Sequence, residues 1–278
     1  MVRIAAAFER ARSQGRAAIA LYFTVGYPDV AATVTGVRAA LRGGADIIEL
    51  GVPFSDPLAD GATIQRSSTA ALREGVTLDT CLETAALIRR EDDQTPILFM
   101  GYYNPFYQYG IDRLAEKAAE VGVDGLIVPD LPPEEAGALD AGLAPRGLAL
   151  IYLVAPTSPD DRVRIIGESA RGFVYCVSLT GITGERDEVS ADVPGLTARV
   201  RARTALPLAL GFGISRPEHV AAVSPIVDAV VIGSAMVNLM GDTGDEHREA
   251  AVESYVRSLT EAGRLAGAGH APSAGGSA

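Results

Sequence analysis

Glu49 closes a short apolar, β-rich run, Asp46-Ile47-Ile48-Glu49-Leu50, and two further carboxylates, Asp56 and Asp60, follow on a loop that also carries Pro53 and Pro57. A run of this length and composition predicts a buried parallel strand that delivers Glu49 to one of its ends. A carboxylate there is costly unless it is partnered or used, and its own strand contains no Lys or Arg. The two prolines stiffen the loop that presents Ser55, Asp56 and Asp60 above the strand end. Two or three carboxylates held in this way suit proton transfer. A structural reading stands beside the functional one: Asp60 precedes residues 61–65, which read as helical, so it could serve as an N-cap, and Asp56 could be a turn former.

The elements that must position these groups recur along the chain. Eight apolar runs lie near residues 19–25, 46–50, 96–101, 124–128, 148–154, 173–177, 207–211 and 228–232. Each is followed by a turn and a helical pattern, for example over residues 30–42, 111–121, 133–144, 159–169 and 216–223. Strand and helix alternating eight times in one chain predict a (β/α)8 barrel, an α/β fold, over residues 1–266. An open doubly wound sheet is disfavoured because the first turn, residues 24–29, lacks a Gly-x-Gly-x-x-Gly fingerprint. Residues 1–16 read as an added helix under the barrel and residues 241–248 as a polar interruption. The last helix is expected over residues 250–266, and residues 267–278 are expected to form a disordered tail.

In such a barrel the site lies at the carboxyl ends of the strands, so each strand's last residues matter most. The second strand supplies Glu49, and the sixth supplies Tyr175, on one face with Phe173 and Val177. Tyr175 also reads as a core aromatic, and Asp130 at the end of the fourth strand reads best as a turn former. Glycine-rich turns follow strands six, seven and eight: residues 180–184, 211–215 and 233–235. Backbone amides in such loops, and a helix N-terminus, bind anions without a basic side chain. The constellation predicts a phosphorylated substrate on one side of the mouth and an acid and base on the other.

Composition narrows the classes. The net charge of −11 is unfavourable for a nucleic-acid surface, and no stretch of the sequence is long and apolar enough for a membrane span. The beginning of the chain lacks a signal-peptide pattern, so a soluble, cytoplasmic protein is expected. Cys81 and Cys176 are too few and too far apart for a disulfide framework or zinc motif. His219, His247 and His270 are not clustered as metal ligands would be, so no metal is expected. Lys117 is the sole lysine and sits in a helical stretch, so no barrel strand offers a Schiff-base lysine.

Residues 23–28, 49–61, 101–105, 180–184, 211–213 and 232–234 together resemble the tryptophan synthase alpha chain family. The matching segments run through most of the chain in the family's order, and the stretch at 49–61 is the most specific. The resemblance implies cleavage of indole-3-glycerol phosphate to indole and glyceraldehyde 3-phosphate. It implies Glu49 as acid–base and Asp60 as the anion that accepts the indole N–H. Tyr22 and Tyr175 would line the site, and Gly184, Gly213, Gly233 and Ser234 would bind phosphate. Thr183 would lie on a closing loop. Tyr22 stands where enteric members have Phe, and Leu179 where they have Arg.

The resemblance further implies an α2β2 complex with a beta chain that carries pyridoxal phosphate, this chain holding no cofactor. Pro53, Asp56, Pro57, Asn104 and Phe106, with Tyr107, would form the docking surface. Competing readings are a stand-alone lyase that releases free indole, a phosphosugar isomerase on the same fold, and a silent activator of a beta chain.

Overall fold

A computed structural model describes residues 1–177, 192–211 and 213–268. Eight parallel strands close into a barrel in sequence order: β1 Ala18–Thr24, β2 Ile47–Gly51, β3 Ile97–Met100, β4 Gly125–Ile127, β5 Ala149–Val154, β6 Val174–Val177, β7 Leu208–Gly211 and β8 Ala229–Ile232. Every expected strand is present, and the (β/α)8 reading is correct. The helices are α1 Val2–Ser13, α2 Val30–Gly43, α3 Ala62–Arg73, α4 Leu78–Arg89, α5 Tyr103–Tyr109, α6 Ile111–Glu120, α7 Gly137–Leu143, α8 Asp160–Ser169, α9 Val193–Arg201, α10 Pro217–Val223, α11 Ser234–Asp242 and α12 Asp245–Ala268. Among the described residues no helix is long and apolar enough to cross a membrane.

Helix boundaries depart from expectation in two places. Residues 133–136 form turns, with Glu135 and Ala136 donating to the carbonyls of Pro132 and Pro133, so α7 begins only at Gly137. The polar interruption shrinks to Thr243 and Gly244, because α12 already starts at Asp245. Asp245 and Glu246 in its first turn favour a helix N-terminus. Arg248 then turns inward to donate to the carbonyls of Met240 and Thr243 at 2.9 Å each, tying α12 to the end of α11.

The inside of the barrel is built from small and large residues in alternation. Ala18, Ala20, Ala149, Ala209 and Ala229 leave room for Phe173 and Tyr175. The amino-terminal end is plugged by α1, whose Ile4, Ala7, Phe8 and Ala11 join the same apolar cluster, with the Phe8 and Phe173 rings 5.6 Å apart. Burying Phe8 there contributes about 2–3 kcal/mol. The added N-terminal helix is thus a stopper for the barrel floor.

The floor also holds two buried carboxylates, each fully partnered. Asp46 accepts two hydrogen bonds from Arg16, at 2.5 and 2.9 Å, and one from the Ile19 amide at 2.8 Å. Asp124 takes Arg3, Arg89 and the Ile97 amide, each at 3.0 Å. Buried charge at the amino-terminal face is neutralised on the spot, leaving chemistry to the opposite rim.

Candidate active site

Glu49 stands in the middle of β2 rather than at its end, because pairing with β3 continues through Leu50 and Gly51; Tyr22 of β1 is its register partner on one side and Leu98 of β3 on the other. It is 0% exposed, and neither carboxylate oxygen has a hydrogen-bond partner among the described residues. Asp46 and Asp124, equally buried, are held by arginines, so the contrast singles out Glu49. Without a compensating charge, burial pushes its carboxyl from the ordinary range up to about 8. At neutral pH Glu49 therefore keeps its proton.

Asp60 does not cap α3. The N-cap is Gly61, with no side-chain cap bond, and the Asp60 carbonyl instead accepts from Gln65 Nε2 at 2.8 Å. Its carboxylate meets the hydroxyl of Tyr102, which pulls its pKa down while partial burial pushes it up more strongly. Tyr102 is 3% exposed, and its hydroxyl also accepts the Ala59 amide at 2.9 Å. Its ring lies 5.4 Å from that of Phe54. One tyrosine from the end of β3 thus braces both the backbone and the charge of the loop that carries Asp60. The sequence carried one signal for it, the Gly101 to Pro105 segment, but nothing local in that segment distinguishes Tyr102 from Tyr103.

The two other tyrosines reach into the mouth over glycines. A β-carbon on Gly51 would lie 2.0 Å from the Tyr22 hydroxyl, and one on Gly211 would lie 2.4 Å from the Tyr175 hydroxyl. Each ring thus lies across the end of the neighbouring strand. Burial raises both hydroxyls well above the ordinary tyrosine range, and the charge of Glu49 adds to both. Tyr22 is also within the field of Asp60. Two residues further toward the rim, Thr24 Oγ1 meets Ser67 Oγ at 2.7 Å and fastens α3, the helix after Asp60, to β1.

On the other side of the mouth, Gly213 has φ +80° and nothing within 4 Å of where a β-carbon would point. Gly233 is the N-cap of α11, whose first residue is Ser234, so this helix starts at the rim directly where β8 ends and has no side-chain cap bond. A β-carbon on Gly233 would lie 3.9 Å from Tyr22 Cβ, so this helix start borders the carboxylate side. Thr183, Gly184 and Leu179 lie outside the described residues. Asp130 lies in the turn after β4, as expected, and also accepts the Tyr103 amide at 2.9 Å at the start of α5.

The rim residues read as a docking surface separate into two groups. Asp56 and Asn104 are exposed and Pro57 is partly so, but Pro53 is buried and Phe106 is 0% exposed. Phe106 cannot present its ring to a partner, because it packs over Gly101, where a β-carbon would come within 2.9 Å of it. The exposed apolar side chains nearby are Leu58, 86% exposed, and Tyr107, 60% exposed.

A parallel barrel that keeps one carboxylic acid dry and protonated, carries a braced carboxylate on the following loop and starts a helix at the same rim defines a (β/α)8 enzyme of the acid–base class. Residues 8–264 match the family model of the tryptophan synthase alpha chain, and the chain belongs to that family. It is 48% identical to the tryptophan synthase alpha chain of Roseiflexus sp. over 259 residues, 93% of this chain and 99% of that one. Among solved structures, a Mycobacterium tuberculosis tryptophan synthase superposes with TM-score 0.87 at 37% identity, covering 95% of this chain and 98% of that one. The Legionella pneumophila tryptophan synthase alpha chain gives 0.85 at 34%, covering 94% and 96%.

Proposed function

We infer that the reaction of the tryptophan synthase alpha chain family, retro-aldol cleavage of indole-3-glycerol phosphate to indole and glyceraldehyde 3-phosphate, is carried out in this chain by Glu49 and Asp60. The observation that carries the assignment is the dry, unpartnered Glu49, pushed up to about 8 and so a proton donor at neutral pH. Aldol cleavage needs a sink for the released electron pair. The sole lysine, Lys117, lies on α6 in an ion pair with Glu120 at 2.8 Å, away from the mouth, so no Schiff base forms there.

The substrate ring provides the sink. Glu49 gives its proton to indole C3, and the ring becomes an iminium with positive charge at nitrogen. The Glu49 carboxylate then takes the hydroxyl proton of the adjoining glycerol carbon. As that carbon becomes an aldehyde, the carbon–carbon bond breaks and its electron pair returns to the ring, releasing indole. One proton leaves Glu49 and one returns. Asp60 accepts the indole N–H and stabilises the charge developing there. Gly213, Gly233 and Ser234, with Thr183 and Gly184, hold the phosphate, while Tyr22 and Tyr175 line the space between.

The same reading supplies a partner. Leu58, Tyr107, Asp56, Pro57 and Asn104 surround the mouth as the docking face for a beta chain, in a cytoplasmic α2β2 complex with pyridoxal phosphate on the beta chain. The deciding assay is indole release from indole-3-glycerol phosphate, with and without a beta chain. Wild type is expected to turn over slowly alone and faster with the partner, and Glu49→Gln to bind substrate without cleaving it. Wild-type turnover by Glu49→Gln would remove Glu49 from the mechanism, and brisk turnover alone with no effect of a beta chain would make the protein a stand-alone lyase.

A further inference from the structure

We propose that Tyr255 is a positioning residue for the phosphate side of the site, acting through the backbone of Ser215. This rests on the phosphate reading above. The loop between β7 and α10 leaves the barrel at Gly211, where the strand pairs with Val177, and reaches α10 at Pro217. Between these points Gly213 opens to the mouth with φ +80°, and Ile214 turns back into the core at 5% exposure. Ser215 comes next, and its carbonyl accepts the Tyr255 hydroxyl at 2.6 Å. Its amide points to Nδ1 of the buried His219 at 3.4 Å, so both backbone groups of Ser215 are engaged from behind.

The Tyr255 donor comes from α12, which also packs along α2, where a β-carbon on Gly43 would lie 2.7 Å from Val256 Cβ. Burial holds the Tyr255 hydroxyl in its protonated, donating form. A loop that binds an anion through backbone amides depends on their orientation before the ligand arrives. Gripping Ser215 fixes the far end of that loop, as strand pairing at Gly211 fixes the near end. The C-terminal helix thus reaches the phosphate without touching it.

The test compares two probes, inorganic phosphate and unphosphorylated indole, in wild type and Tyr255→Phe. The substitution removes one hydroxyl and leaves the ring packing in place. The expected result is about five- to tenfold weaker binding of phosphate, an equal rise in KM for the phosphorylated substrate, and indole binding within twofold of wild type. Faster amide hydrogen exchange at residues 213–215 should accompany it. Equal loss for both probes would reduce Tyr255 to a general packing residue, and no loss for either would likewise overturn the proposal. If wild type itself failed to bind phosphate at this site, the phosphate reading would fall first and this inference with it.

Discussion

The Tyr22 hydroxyl occupies the place a side chain on Gly51 would take, 2.0 Å from the position of a β-carbon. Gly51 follows Glu49 on the same face of β2, and any side chain there would displace the Tyr22 ring that stands beside Glu49 in register. Gly51→Ala should lower kcat/KM by about 10- to 100-fold, since small displacements of site groups carry penalties of that size. Overpacking should also lower stability by about 1–3 kcal/mol. Adding Tyr22→Phe should recover only part of the loss, because ring carbon Cζ would still lie 2.4 Å away. Steady-state kinetics of the single and double variants decide this.

Tyr102 should set the ionisation of Asp60. Removing its hydroxyl in Tyr102→Phe deletes the bond that pulls the carboxyl down and leaves burial to push it up. The acid limb of the kcat/KM profile should move to higher pH. An unmoved limb would mean that Tyr102 only supports the loop backbone through Ala59.

Asp60→Asn should lower kcat by two or more orders of magnitude, on the order of 3 kcal/mol of charge stabilisation. The acid limb of the pH profile should disappear in this variant. Wild-type kinetics would return Asp60 to a role in loop structure.

Glu49 should make the fold less stable as pH rises. Its folded pKa is raised to about 8, above the unfolded carboxylate, so between pH 4.5 and 8 the unfolded chain releases a proton that the native state keeps. Stability falls across that window, by up to about 5 kcal/mol, and levels off above it. Glu49→Gln removes this dependence, and should unfold at higher urea than wild type at pH 8 and close to it at pH 5. Catalysis should fall above about pH 8, where Glu49 loses the proton it must donate. Identical urea midpoints for the two proteins at pH 8 would show that Glu49 is not held neutral.

Leu58 is 86% exposed, on the loop that also carries Asp56 and Asp60. Leu58→Asp should weaken association with a beta chain by tenfold or more, measured by titration calorimetry. Phe106→Tyr, by contrast, should mainly lower stability, because the ring is 0% exposed. Unaltered affinity in Leu58→Asp would move the docking face elsewhere.

Several of these features can be read along the chain because their causes are local. Strand and helix follow from the spacing of apolar residues, so the barrel order, the stopper helix α1 and the placing of Glu49 on β2 are all visible in the residues themselves. The stiffness of the loop after it follows from Pro53 and Pro57. Helix ends were less legible: α12 begins earlier than its apolar pattern suggests because Asp245 and Glu246 favour a helix start.

Other properties depend on which side chains meet across the closed barrel, and no local pattern encodes that. Sequence determined that β2 would carry a carboxylate, though at mid-strand rather than at its end at Gly51; only tertiary structure decided that it would be dry and unpartnered while Asp46 and Asp124 met arginines. Sequence placed aromatic residues after β3; only the folding of that segment into α5 over Gly101 buried Phe106 and left Tyr107 in solvent. Tyr102 beneath Asp60 and Tyr255 behind Ser215 are likewise contacts between segments far apart in the chain. The reason is range: periodicity and turn chemistry act over a few residues, whereas burial, desolvation and hydrogen-bond partnership are settled when distant strands and helices close around one another.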